Sequence, residues 1–147
     1  MPNTKRYLTT LLETALSGIT VNSKAVDIVS SDSDRDGQYV HVYVADESGG
    51  LVEDTNVEHT EITFELICRV TGSSDSDMID AQGELIDKVK KKLFVERDSL
   101  PKSSTFTELE IQVVDIVWDS VIPAYDNRSK EALIMITGLI VINLIEV

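Results

Sequence analysis

The sequence predicts an α+β domain: one mostly antiparallel β-sheet of about five strands with two α-helices packed on it. Three observations predict it. Two windows, residues 7–16 and 78–93, repeat apolar residues at helical spacing. Several longer segments alternate apolar and polar residues, the period of a strand with one buried face. The elements follow the order helix, strand, strand, strand, helix, strand, strand (α-β-β-β-α-β-β). A chain of 147 residues suits one domain, 1–147, and is long enough to bury roughly 70% of the surface its unfolded form exposes.

The first helix rests on Tyr7, Leu8, Leu11, Leu12, Ala15 and Leu16, which share one face. Gly18 follows, where a left-handed C-terminal residue is often needed. Residues 25–29 form a short candidate strand, and the polar run 30–37 a loop. In residues 38–46, Val40, Val42 and Val44 point one way and Tyr39, His41, Tyr43 and Ala45 the other, which predicts a strand. Residues 47–58 read as a polar, flexible connection, longer than the two to five residues of an ordinary hairpin. Its acids Glu47, Glu53, Asp54 and Glu58 are the expected partner contacts, since long connections on a rigid scaffold often carry function.

The clearest strand is 58–71. Ile62, Phe64, Leu66, Cys68 and Val70 share a face that should pack on Leu85, Ile86 and Val89 of the second helix. That helix starts at Ser74 or Ser76 and runs through Met78, Ile79, Gln82, Leu85, Ile86, Val89 and Leu93, with acids in its first turn and lysines in its last turns. Pro101 prevents continuation. Residues 107–121 alternate until Val113-Val114, where Ile116 and Trp118 bring the other face into play, so a bulge is expected there. Residues 131–147 form the last strand, apolar on both faces from Leu133 to Ile142, as in a central strand.

Charge narrows the function. Against 13 Lys and Arg stand 26 Asp and Glu, a net charge of -13. Phosphate affinity comes from clustered cations, so duplex DNA and anionic membranes are poor partners for such a chain. One cysteine excludes an internal disulfide and a cysteine-based zinc site. No run of about 20 apolar residues is present to cross a membrane as a helix, and the N-terminal residues lack a signal-type apolar core. The expectation is a soluble, acidic domain of a reducing compartment.

Chemistry-bearing motifs are sparse. The sequence has no phosphate loop, dinucleotide fingerprint, HExxH or GxSxG. His41 and His59 sit on the polar sides of their strands, without a ligand at metal spacing. Cys68 shares an apolar face, where a thiol is inert. Asp32, Asp34 and Asp36, followed by Gly37, match the first half of a calcium loop, but Tyr43 stands where the closing glutamate belongs. They are the candidate ligands for a divalent cation, although a hydrophilic turn that uses Asp, Ser and Gly for backbone reasons accounts for them without one. No other cofactor is expected. The cluster Lys88, Lys90, Lys91 and Lys92 reads as a docking patch or as a complement to the helix dipole.

The passages KRYLTTLLETAL, QYVHVYVADE, HTEITFELICRVTG with SDMIDAQGELIDKVKKKL, and ELEIQVVDIVWDS with ALIMITGLIVINLIEV resemble the bacteriophage tail terminator proteins of the lambda type. The resemblance is one of pattern and length over nearly the whole chain. It implies a structural virion protein, not an enzyme, assembled in the host cytoplasm. Such a protein forms a homo-oligomeric ring, usually a hexamer, that caps the tail tube, stops its elongation and joins the neck or head connector. Its partners would be other copies, the tail tube protein, the neck proteins and passing viral DNA bound without sequence specificity, with no membrane.

Size is compatible with this. A chain of this length has a radius of gyration of about 15 Å, hence a sphere about 38 Å across. Four in a ring leave a hole of roughly 16 Å, five about 27 Å and six about 38 Å. A duplex is about 20 Å wide, judged from its groove depths. An acidic lumen would let DNA slide without sticking. Its candidate residues are Glu61 and Glu65 on the third strand and Glu108 and Glu110 on the fourth. The alternative from another class is a small acidic ligand- or calcium-binding domain using Asp32, Asp34 and Asp36. An enzyme would need a convergent polar site that the sequence does not display.

Overall fold

A computed structural model describes residues 4–30, 37–45, 49–51, 57–95, 103–105, 109–126 and 131–146. Helix α1 is Thr4–Leu16. Strands β1 (Thr20–Val21) and β2 (Lys24–Ala25) form a separate hairpin. Then come β3 (Asp27–Val29), β4 (Tyr39–Val44), β5 (Gly49–Leu51) and β6 (Val57–Thr71). Helix α2 is Asp75–Lys90 and runs into a π-helical turn, Lys91–Val95. Strands β7 (Ser103–Thr105), β8 (Leu109–Asp126) and β9 (Glu131–Glu146) close the chain.

The main sheet has the order β3-β4-β6-β9-β8-β7, with β5 also on β6. The expected α+β class and order hold: β3, β4, β6, β8 and β9 are the five anticipated strands. All pairings are antiparallel except β3 with β4. The predicted strand 25–29 divides at Val26, whose N–H bonds Ile19 O (3.1 Å). Its first part joins the β1–β2 hairpin, which turns through Asn22 (φ 54) and Ser23 (φ 61), the left-handed pair of a type I′ turn.

Both helices lie on one sheet face and close a single core. Leu8, Leu11, Leu12 and Leu16 of α1 join Val40, Val42 and Val44 of β4 in it. Ile62, Phe64, Leu66, Cys68 and Val70 are buried, as expected, in the same cluster as Leu85 and Val89. Ile86 is only partly buried, and Ile79 points outward at 54% exposure. The inward face of α2 is Met78, Ala81, Gln82, Leu85 and Val89. Ser74 caps α2 by accepting a hydrogen bond from Asp77 N (3.2 Å), so the choice between two serines resolves to the first. Gly18 does adopt the left-handed conformation, at φ 84.

One expectation changes. Residues 47–58 are not one long loop. Gly49–Leu51 pair with Glu58–Thr60, and β6 begins at Val57. Strands β4 and β5 therefore follow one another along the same edge of β6. Pairing on β6 is described as far as Val44 opposite Phe64 and again from Gly49 opposite Thr60. Alternation was hidden here because two glycines carry no face information.

Strand β9 is central, as expected, between β6 and β8. Its two apolar faces differ in burial. Ala132, Ile134, Ile136, Ile140 and Ile142 are buried, but Leu133 and Met135 on the other side are 46% and 36% exposed. No helix among the described residues covers that side.

Strand β8 bulges where expected, between Val113 and Asp115, and again between Trp118 and Ser120. Each bulge inserts one residue against β9. The core face therefore runs Ile111, Val113, Ile116, Trp118 and Val121, while Asp115, Val117, Ser120 and Ile122 turn to the open side. In the row Phe64–Gly138–Trp118, the two large side chains flank a glycine. Trp118 then meets Phe94 of the π-turn edge to face at 4.6 Å.

Candidate interaction surface

The open face of the sheet is built by register. On β6 it takes Glu61, Thr63, Glu65, Ile67 and Arg69, and on β9 Leu133, Met135, Thr137, Leu139 and Val141. The neighbouring β4 adds Tyr39, His41 and Tyr43, and β8 adds Asp115, Val117, Ser120 and Ile122.

Rows across the strands divide this face into two chemistries. At one end Ile67, Met135 and Ile122 stand in one row, with Leu133 in the next. Ile122 is 55% exposed, more than Leu133 or Met135. At the other end Glu61, Val141 and Asp115 share a row. Adjacent strands lie about 4.8 Å apart, which puts the backbones of Glu61 and Asp115 about 10 Å from each other. Between the two ends lies the row Tyr43–Glu65–Thr137–Ser120, in which the Ser120 and Thr137 hydroxyls bond at 2.6 Å.

Arg69 is the only Lys or Arg in β4, β6, β8 and β9. It is engaged. Its Nε donates to Gly37 O (2.8 Å), its guanidinium lies 3.7 Å from Glu131, and it stacks 4.6 Å above the Tyr39 ring. The exposed acids Glu61 and Glu65 thus share a face whose one cation is already committed.

The lysine cluster divides by role. Lys88 Nζ donates to Glu84 Oε2 (2.8 Å) and to Thr20 O, tying α2 to the β1–β2 hairpin. Asn22 N also donates to Glu84 Oε1 (3.2 Å). These two donors, Lys88 first, hold the Glu84 carboxyl below its usual range. Lys90 Nζ lies 5.3 Å over the Trp118 ring. These lysines therefore support the fold as well as the helix dipole.

Buried polar side chains bind backbone. Gln38 Nε2 donates to Val21 O (3.1 Å) while its Oε1 accepts from Thr71 N (3.4 Å). Gln82 Nε2 donates to Leu133 O (3.1 Å). Burial pushes the Cys68 thiol up to about 12, which leaves it protonated and inert. His41 stacks on Tyr43 with ring centroids 4.2 Å apart, and its Nδ1 bonds the Tyr43 hydroxyl at 3.0 Å. It is half-buried rather than fully solvated.

Of the residues singled out from sequence, Glu61 and Glu65 lie exposed together on the open face. Glu110 stands in β8 opposite Ile145 and Thr105, and Glu58 in β6 opposite Leu144 and Leu51. Asp32, Asp34, Asp36, Glu47, Glu53, Asp54 and Glu108 lie outside the described residues, as does the side chain of His59. Among the described residues no group of three His, Cys, Asp or Glu is placed to hold a metal ion, and no helix is long and apolar enough to cross a membrane. Sequence reasoning missed Asp115. The signal was there: an extra residue at Val113-Val114 moves the following odd positions to the open side.

No protein-family model matches this chain, and a search of curated proteins finds no match.

Proposed function

We propose that the chain is a structural subunit of a phage tail. It forms a ring of about six copies, a number that the resemblance implies and the size argument allows, that caps the tail tube, stops its elongation and joins it to the neck. The observation that supports this best is the open sheet face. It carries exposed Ile122, Leu133 and Met135 at one end and Glu61 with Asp115 at the other, and its one cation is paired internally. A face of that kind favours association over catalysis.

A closed ring needs a heterologous interface, with different patches meeting on each subunit. The sheet offers two different edges. Past Gln112, β8 has no strand partner on its outer side among the described residues, and β3 ends the sheet on the other side. The two edges suit contact between subunits, and the apolar end of the face suits contact with the tube or neck. The acidic end suits a lumen or rim that repels phosphate and lets DNA pass. The structural role also fits the resemblance of the four sequence passages to tail terminators.

The test is loss of the chain during phage assembly. Tails built without it are expected to be overlong and unattached to heads. Correctly sized tails joined to heads would contradict the reading.

A further inference from the structure

Where β4 ends, the open face holds a groove of about 340 Å³. Tyr43, Val44, Ala45, Thr63, Glu65 and Ile67 line it. It lies at the last described residues of this edge, where Ala45 N donates to Thr63 O (2.9 Å).

The lining has a specific chemistry. Tyr43 and Glu65 are direct cross-strand partners, so their Cβ atoms stand about 5 Å apart. An aromatic ring and a carboxylate thus sit side by side above an apolar floor of Ala45 and Ile67, while the Val44 side chain faces the core. Thr63 adds a hydroxyl. Among the described residues that line it none is cationic, and the one cation of these strands, Arg69, is held by Gly37, Glu131 and Tyr39.

We propose that this groove receives an arginine side chain of a partner protein, carried on a segment whose neighbouring apolar residues cover Met135 and Ile122. The aliphatic stem of arginine would lie on the apolar floor while its guanidinium meets both Glu65 and the Tyr43 ring. A guanidinium can pair with a carboxylate through two parallel hydrogen bonds and stack on an aromatic face at once, which an ammonium cannot. Charge complementarity carries the choice of occupant: a net charge of -13 attracts cationic partners at long range, and the groove supplies the anion at contact. The exposed apolar row Ile67–Met135–Ile122 begins beside the groove and gives the flanking residues a surface. This proposal does not rest on the ring reading, since it concerns one subunit's surface.

The experiment uses the full chain at a concentration where sedimentation shows one species. The probe is acetyl-Leu-Arg-Leu-amide, with the citrulline peptide as its neutral twin. Backbone amide shifts are followed by NMR. The arginine peptide is expected to move Tyr43, Ala45, Glu65 and Ile67, with apparent affinity at least fivefold above that of the citrulline peptide. Glu65→Gln and Tyr43→Leu, both at exposed positions, should each reduce the arginine peptide to the level of its twin. The lysine peptide should bind more weakly. Equal binding of arginine and citrulline peptides would overturn the proposal. Shifts spread over the whole acidic surface, retained binding in Glu65→Gln, or a groove closed to both peptides by a second copy would also overturn it.

Discussion

Gly138 shows what one missing side chain does. A Cβ there would stand 2.6 Å from Phe64 Cζ and 2.7 Å from Val117 O. The oxygen belongs to a paired strand and cannot move aside. In sequence Gly138 looks like an interruption of an apolar run, because the two side chains it admits are 74 and 20 positions away. Gly138→Ala is expected to cost about 1–3 kcal/mol from overpacking, measured by denaturant unfolding; an unchanged midpoint would mean the row is looser than described. Glu84 gives a pH signature. Its pKa is lowered in the fold by Lys88 and Asn22, so its contribution is present above the ordinary carboxylate range and is lost as pH falls through the lowered value. Glu84→Gln should therefore be less stable than the wild type at pH 7, with the gap closing in acid. A gap that widens in acid would reverse the assignment. Lys88 stands one turn on in the same helix, a spacing present in the sequence, whereas Asn22 was not legible, since it needed the hairpin to be placed against the helix.

At the scale of elements, periodicity worked where side chains alternate and failed where they do not. The faces of β4 and β6 and the cap of α2 were readable because each depends on neighbours within a few residues. Strand β5 was not, because Gly49 and Gly50 give no pattern. The two apolar faces of β9 pointed to its central place, but composition cannot say whether a layer over the second face is supplied by this chain or by another molecule. The bulges of β8 make a test of register. Deleting Val114 or Asp119 removes an inserted residue and leaves every other side chain on its face. Deleting Thr137 from unbulged β9 would turn half that strand over. The first two variants should fold cooperatively, and the third should not. Equal damage from all three, read by thermal unfolding, would contradict the bulge assignment.

At the scale of the whole molecule, the sheet is one-sided: two helices on one face, acids and exposed apolar residues on the other. In a ring, the row Glu61–Val141–Asp115 is the expected electrostatic guard of the channel. Changing Glu61 and Asp115 to Lys should leave assembly intact and make the ring retain duplex DNA, with retention falling steeply as salt rises. Retention that ignores salt, or none at all, would place these side chains away from DNA. These positions differ from those that test the arginine groove, so the two ideas can fail separately. The central claim is that the subunit closes a ring, and native mass spectrometry of the purified chain tests it most directly. The account predicts one closed stoichiometry of at least five copies of the 16.3 kDa chain, the smallest ring whose hole admits a duplex on the size estimate above. A monomer or dimer that persists at assembly concentrations, or an open series of growing oligomers, would contradict it.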